Sequence, residues 1–141
     1  MFVLDTNVVS ETFSAQTSPA VGAWIESHGR ENYWVTAITR AELVLGMLLL
    51  PEGRRRQALA GLIASFFKLT LRNPVLAFGE DEADRFAEIV TRRRRIGSPI
   101  SDFDAQIAAI AFERGFAVVT RNVRDFEHCG VEVFNPWDAN T

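Results

Sequence analysis

With 141 residues, 48% of them hydrophobic and 23% charged, the chain has the length and make-up of one globular domain, residues 1–141, with a sizeable core. No apolar run approaches the roughly 18 residues that span a bilayer, since the longest begins at Leu43, contains Gly46 and stops before Pro51, so no membrane partner is expected. A net charge of −3 excludes a protein that coats nucleic acid nonspecifically.

Residues 2–4, Phe-Val-Leu, form an apolar run consistent with a buried strand ending at Asp5; no basic stretch precedes it, so a signal peptide is not expected. Ser18-Pro19 supplies an N-cap and a first-turn proline for a helix through Trp24 and Ile25. Aromatic and β-branched residues dominate 33–38, which reads as a second strand. Thr39 is expected to cap a helix through Leu43, Leu45 and Leu49 that breaks at Pro51-Glu52-Gly53. Residues 54–68 continue as a helix with Leu59, Leu62, Ile63 and Phe66 on its apolar side. Residues 74–78 read as a third strand with proline at its mouth. Residues 80–95 are helical, with acids in the first turn and arginines in the last, as the helix dipole favours. Gly97-Ser98-Pro99 ends that helix, and Ser101 begins another through Ile107 and Ile110 that Gly115 closes. Residues 117–120 and 131–134 read as the fourth and fifth strands, separated by Cys129, the only cysteine. One thiol excludes an internal disulfide and makes a reducing cytoplasm the expected setting, with packing preferred over a nucleophilic role. Strands that alternate with helices predict an α/β fold: a mostly parallel central sheet of about five strands, flanked by helices on both faces.

Parallel α/β sheets place ligand sites at the carboxyl ends of their strands. Asp5 directly follows the first strand, and Glu42 falls in the first turn of the helix after the second. Asn122 stands two residues beyond the fourth strand, and Asp104 in the first turn of the helix leading into it. A helix antiparallel to the sheet begins near the strands' carboxyl edge, so three carboxylates and an amide are expected to share one crevice. Carboxylates brought together repel, and retain protons unless a cation neutralises them. Oxygen-only ligands select a hard ion, Mg²⁺ or Mn²⁺, that keeps several waters and meets a phosphate. Such an ion activates water and polarises a phosphodiester, which is the chemistry of a nuclease. Helix capping competes with this reading, because Thr39-Arg40-Ala41-Glu42 and Ser101-Asp102-Phe103-Asp104 both have the form of a capping box. Capping does not account for Asp5 after a strand, and three acids on one edge favour the site.

Four runs occur in order: Met1-Phe2-Val3-Leu4-Asp5-Thr6-Asn7-Val8-Val9-Ser10-Glu11; Thr36-Ala37-Ile38-Thr39-Arg40-Ala41-Glu42-Leu43 followed by Gly46; Asp104-Ala105-Gln106-Ile107-Ala108-Ala109; and Val119-Thr120-Arg121-Asn122 with Asp125-Phe126. With Val133-Phe134-Asn135-Pro136-Trp137 at the end, they resemble the motifs of PIN-domain ribonuclease toxins of the VapC family, especially its FitB-like branch, from Met1 to about Trp137. The resemblance implies a PIN-like fold and a metal-dependent endoribonuclease acting as the toxin of a type II toxin–antitoxin pair. In such an enzyme water attacks in line on RNA phosphodiesters, with structured RNAs such as tRNA among the substrates. Carried over by position, it makes Asp5, Glu42 and Asp104 the acids that bind Mg²⁺ (or Mn²⁺). Asp5 and Asp104 are direct ligands, and Glu42 binds metal, orients water or holds a second ion. Asn122 takes the fourth catalytic position, where many relatives have Asp; its amide oxygen brings no charge, which bears on a second ion.

Around these, Thr6 and Thr120 are expected to be supporting hydroxyls, while Asp102 and Asp125 lie near enough to contribute but fit a helix cap and a turn. The resemblance also implies three partners: RNA, a small cognate antitoxin and a second copy of the chain in a homodimer. Met47, Leu48, Leu49 and Leu50 are more apolar than one buried face requires and are expected to supply interface, and Trp137 either staples the chain end or faces a partner. Single-stranded loops are the expected target. Arginine carries nearly all the positive charge, Lys68 being the only lysine, and Arg92, Arg93, Arg94 and Arg95 are expected to hold flanking phosphates. The plainer reading of that run, and of Arg54-Arg55-Arg56, is a solvated helix face.

Two other enzyme classes fit poorly. A haloacid-type hydrolase needs a second acid two residues after its first-strand Asp, where Asn7 stands, and a dinucleotide-binding domain needs a glycine-rich turn that Asp5-Thr6-Asn7-Val8 lacks. The alternative from a different class is a catalytically weak PIN-fold module that binds RNA or protein, and Asn122 is the feature that keeps it open.

Overall fold

In the computed structural model, which describes residues 1–138, strand β1 (Phe2–Leu4) pairs in parallel with β2 (Tyr33–Trp34) on one side and β3 (Ala117–Val119) on the other. A further strand, β4 (Val133–Phe134), pairs in parallel with β3, giving the order β2-β1-β3-β4 among the described residues. The period-2 alternation of strand side chains divides the core. Val3 and Val118 face one cluster with helices α5 (Glu80–Arg95) and α6 (Asp102–Arg114). Leu4 and Val119 face the other, with α1 (Thr6–Thr12), α2 (Pro19–His28), α3 (Ala37–Leu48) and α4 (Arg54–Ser65). Both faces are therefore covered, as parallel strands require.

Helix α6 is the most deeply set. Ala105, Ile107, Ala108, Ala109, Ile110 and Ala111 are fully buried, and the small alanines let the sheet and α5 approach from opposite sides. Its ends are those expected: the Ser101 hydroxyl accepts from the Asp104 N–H at 3.2 Å, and Gly115 follows at φ +69°, a left-handed conformation suited to glycine. Helix α5 likewise runs from Glu80, Asp81 and Glu82 to its terminal arginines.

Four elements differ from expectation. Residues 33–38 leave the sheet after Trp34, because the Thr36 hydroxyl accepts from the Thr39 N–H (3.1 Å) and caps α3; Thr36, not Thr39, is the cap. The third expected strand, 74–78, shrinks to one parallel bridge between Leu76 and Thr36. Pro74 has no N–H to give a ladder, and Val75 and Ala77 are exposed, so only Leu76 is buried, with Phe78 partly buried against the same cluster. Helix α4 ends at Ser65, and Phe66–Thr70 winds into a π-helical turn that buries Phe66. Finally, α1 was not expected: it follows β1 directly, and its seven residues are too few to show a period. Cys129 is buried, and burial pushes its thiol pKa up, which fits packing and not nucleophilic chemistry. No helix among the described residues is long and apolar enough to cross a membrane.

Candidate active site

The site begins where β1 ends. Asp5 is the N-cap of α1, its Oδ1 accepting from the Thr6 N–H at 2.8 Å, so capping does apply to this acid, contrary to the expectation from sequence. Only one oxygen is used that way. Oδ2 accepts from the Asn7 amide and from the Thr120 hydroxyl, both at 2.8 Å. Thr120, fully buried just past β3, in turn accepts from the Asn122 N–H at 3.0 Å, and the Asn7 Oδ1 accepts from the Arg121 N–H at 3.2 Å. These bonds lace the carboxyl ends of β1 and β3 together and fix the Asp5 carboxylate between them.

Glu42 arrives from α3. With the cap at Thr36 it sits in the second turn, too far along to cap anything, and its Oε1 accepts from the Thr6 hydroxyl at 2.8 Å. The buried Thr39 hydroxyl lies 3.1 Å behind that of Thr6, so this threonine supports the site instead of capping. Asp104 comes from the first turn of α6. Asp5, Glu42, Asp104 and Asn122, the four residues singled out in the sequence, line one open crevice of about 490 Å³ with Thr6, Asn7, Ser10 and Glu11. Asn7, Ser10 and Glu11 were missed as wall residues; their i, i+3, i+4 spacing marks the polar face of α1, but only once that helix is known. Asp102 is exposed in the first turn of α6, and Asp125 lies in a 3₁₀ turn (Val123–Phe126); neither lines the crevice.

All three acids hold protons more tightly than usual. Burial is the main cause for each; Glu42's charge adds to it at Asp5 and Asp104's at Glu42, while their hydrogen bonds work the other way. Asp104 is pushed up to about 6 by burial first and by Asp5 second. Among the described residues none of the three has an ion-pair partner, both salt bridges being made by Arg85. Nor do any three His, Cys, Asp or Glu side chains there stand together so as to hold a metal ion by themselves. An open set of carboxylate oxygens suits a hard cation that retains water better than one needing full protein coordination.

The sign of the pH dependence follows from Asp104. Its folded-state affinity for protons exceeds the ordinary 3.8, so its contribution to stability is fully present below that value and is lost as pH rises through about 6. Metal-free protein should therefore melt higher at pH 5 than at pH 7.5 in scanning calorimetry, and saturating Mn²⁺ at pH 7.5 should restore the loss. A melting temperature indifferent to both would mean that the acids do not strain the fold.

Of the four arginines expected to hold phosphates, Arg93 is turned inward and 3% exposed, whereas Arg92, Arg94 and Arg95 are exposed. The guanidinium of Arg121, next to Asn122, lies 5.1 Å from the ring of the half-buried Trp137, which packs against the Leu4 side of the core.

A parallel α/β sheet with an acidic crevice at its carboxyl edge defines the class, and the chain belongs to the PIN domain family, whose model matches residues 2–131. It is 37% identical over 138 residues to the VapC ribonuclease Y4jK of Sinorhizobium fredii, covering 98% of this chain and 99% of that one. It is 36% identical to toxin FitB of Neisseria gonorrhoeae, over 97% of this chain and 99% of the relative. The solved structure of FitAB bound to an IR36 DNA fragment superposes with a TM-score of 0.89 at 35% identity, covering 98% of this chain and 96% of that one. Within the family the protein thus sits in the VapC group, on its FitB-like branch.

Proposed function

We propose that this protein is a divalent-metal-dependent endoribonuclease and the toxin of a type II toxin–antitoxin pair. The observation that carries the reading is the convergence of Asp5, Glu42 and Asp104, each with raised proton affinity, in one crevice where no basic side chain among the described residues pairs with them. Relatives named as a ribonuclease and a toxin support it. Asp5 and Asp104 hold Mg²⁺ or Mn²⁺, and an ion bound there supplies neutralising charge and Lewis-acid activation of water and phosphodiester. Thr120 and Asn7 keep the Asp5 carboxylate oriented through Oδ2, and Thr6 does the same for Glu42. Glu42, with its raised affinity, orients the attacking water and accepts its proton. Asn122 contributes an amide oxygen at the fourth position without adding charge.

The substrate class is RNA, entered at single-stranded loops such as those of tRNA, whose unstacked bases and accessible backbone suit the open acidic crevice. Exposed Arg92, Arg94 and Arg95 hold flanking phosphates. The cognate antitoxin lays an apolar segment in a groove of about 420 Å³ lined by Phe13, Leu43, Leu59 and Leu62, which shares Thr6, Ser10 and Glu42 with the acidic crevice. Leu45, Leu48 and Leu49, roughly half exposed or more, supply further apolar surface for the antitoxin or for a homodimer. The cytoplasm is where such a toxin meets its RNA.

The test is incubation of purified, antitoxin-free protein with total cellular RNA. Fragments should form with Mg²⁺ or Mn²⁺ and disappear with EDTA or with Asp5→Asn. Folded protein that cuts nothing in either metal, yet retains RNA in EDTA, would make the chain a binding module and Asn122 the residue to explain.

A further inference from the structure

Arg93 is an anomaly in its own run. It is buried although Arg92, Arg94 and Arg95 are exposed, and a buried guanidinium is tolerated only where its donors are satisfied. Nε donates to the Ser98 carbonyl at 2.6 Å and Nη2 to the Ser98 hydroxyl at 3.2 Å. Nη1 donates to the backbone carbonyls of Asp125 and Glu127, both at 2.9 Å. The Ser98 N–H returns a bond to the Arg93 carbonyl at 2.9 Å. Among the described residues no carboxylate forms an ion pair with this cation.

The oxygen acceptors fall on two segments, and both lead to the crevice. Ser98 stands three residues before Ser101, whose hydroxyl caps the Asp104 N–H. Asp125 and Glu127 belong to the 3₁₀ turn and its end, and the Asp125 N–H closes that turn on the Asn122 carbonyl at 3.0 Å. Asp104 and Asn122, one reached from each segment, both line the crevice. We propose that Arg93 is a positioning residue of the nuclease site: its guanidinium clamps the approach to Asp104 against the turn that follows Asn122, and so sets how those two side chains are presented. A planar fork with several fixed donors can hold two backbone segments at once; an ammonium offers a point charge without that geometry. The kinetic consequence rests on the nuclease reading, while the clamp itself does not.

The experiment compares Arg93→Lys with Arg85→Lys, a control on the same helix whose ion pairs with Glu88 and Glu113 lie outside the crevice. Melting temperature, Mn²⁺ affinity by calorimetry, amide exchange, and kcat and KM on an RNA oligonucleotide cut by the unsubstituted protein are measured for each. Arg93→Lys should fold, exchange faster at residues 97–104 and 122–127 than in the rest of the chain, bind Mn²⁺ about tenfold more weakly and lose roughly 10–100-fold in kcat. KM should change little. Ser98→Ala removes only the hydroxyl acceptor and should show the same pattern at about threefold, which keeps the test open if Arg93→Lys does not fold. Unchanged exchange in the two segments with unchanged Mn²⁺ affinity would overturn the proposal, as would a kcat loss that merely tracks the unfolded fraction. An unsubstituted chain that cuts no RNA would end the nuclease reading instead, and exchange in the two segments would still decide the clamp.

Discussion

Asp104→Asn should lower metal-dependent RNA cleavage by more than about a hundredfold and at the same time raise the melting temperature of the metal-free protein at pH 7. The two effects share a cause. Burial and the Asp5 carboxylate push Asp104 up to about 6, so at neutral pH the group ionises against its surroundings. An amide of the same shape avoids that cost, which is on the order of 1 kcal/mol once the water still reaching the carboxyl is discounted, or about 3 °C in a domain of this size. It also removes a charge that the metal needs. Opposite signs in a cleavage assay and in calorimetry would tie the acid to function at the expense of stability. Retained cleavage would remove Asp104 from the site, and a loss of both would show that the substitution damages the fold.

Phe126→Ala should destabilise the protein by about 3–5 kcal/mol, read as a lower midpoint in urea denaturation. The ring is 1% exposed and packs with Ile107, Ile110 and Val118 in the cluster beneath the sheet, so truncation removes buried area and leaves a cavity that rigid neighbours cannot fill. Phe126 is also the last residue of the turn that begins after Asn122, and its ring anchors the segment whose Asp125 carbonyl Arg93 grips. A loss below about 1 kcal/mol would mean that this turn repacks freely around a smaller side chain.

The parts legible in the sequence were those whose signal is local. Phe2-Val3-Leu4 and Ala117-Val118-Val119 are apolar runs with one plausible use, and α5 and α6 carry their own start and stop marks in Glu80, Arg95, Ser101 and Gly115. The third expected strand failed because pairing depends on a neighbour: Leu76 meets only Thr36, whose own chain is already turning into α3. The choice between Thr36 and Thr39 as cap is likewise settled by surroundings, since both have the right side chain and only one has its hydroxyl beside the free N–H. For the site, Asp5, Glu42, Asp104 and Asn122 could be placed on one edge from topology alone, and the crevice joins them. Asn7, Ser10 and Glu11 could not, because a seven-residue helix has too few turns to announce which face it turns inward. Arg93 does carry a local signal, missed in the arginine run, since it follows Phe86, Ile89 and Val90 at helical spacing on the apolar face of α5; what satisfies it there depends on where Ser98 and Asp125 come to rest.

The double use of Asp5 has a practical side for anyone wanting a harmless copy of this protein. One of its oxygens starts a helix while the carboxylate as a whole faces the crevice, so the usual alanine replacement would silence the chemistry and fray the scaffold together, at about 1 kcal/mol for the lost cap. Asparagine is as good a helix starter as aspartate, and its carbonyl can stay where Oδ1 now meets the Thr6 N–H. The asparagine form keeps the helix start and loses the charge, but its NH2 group takes the place of Oδ2, so the Asn7 amide and the Thr120 hydroxyl that now donate there must turn. It is the milder of the two inert twins, and the one to express in bulk or to soak with an intact strand.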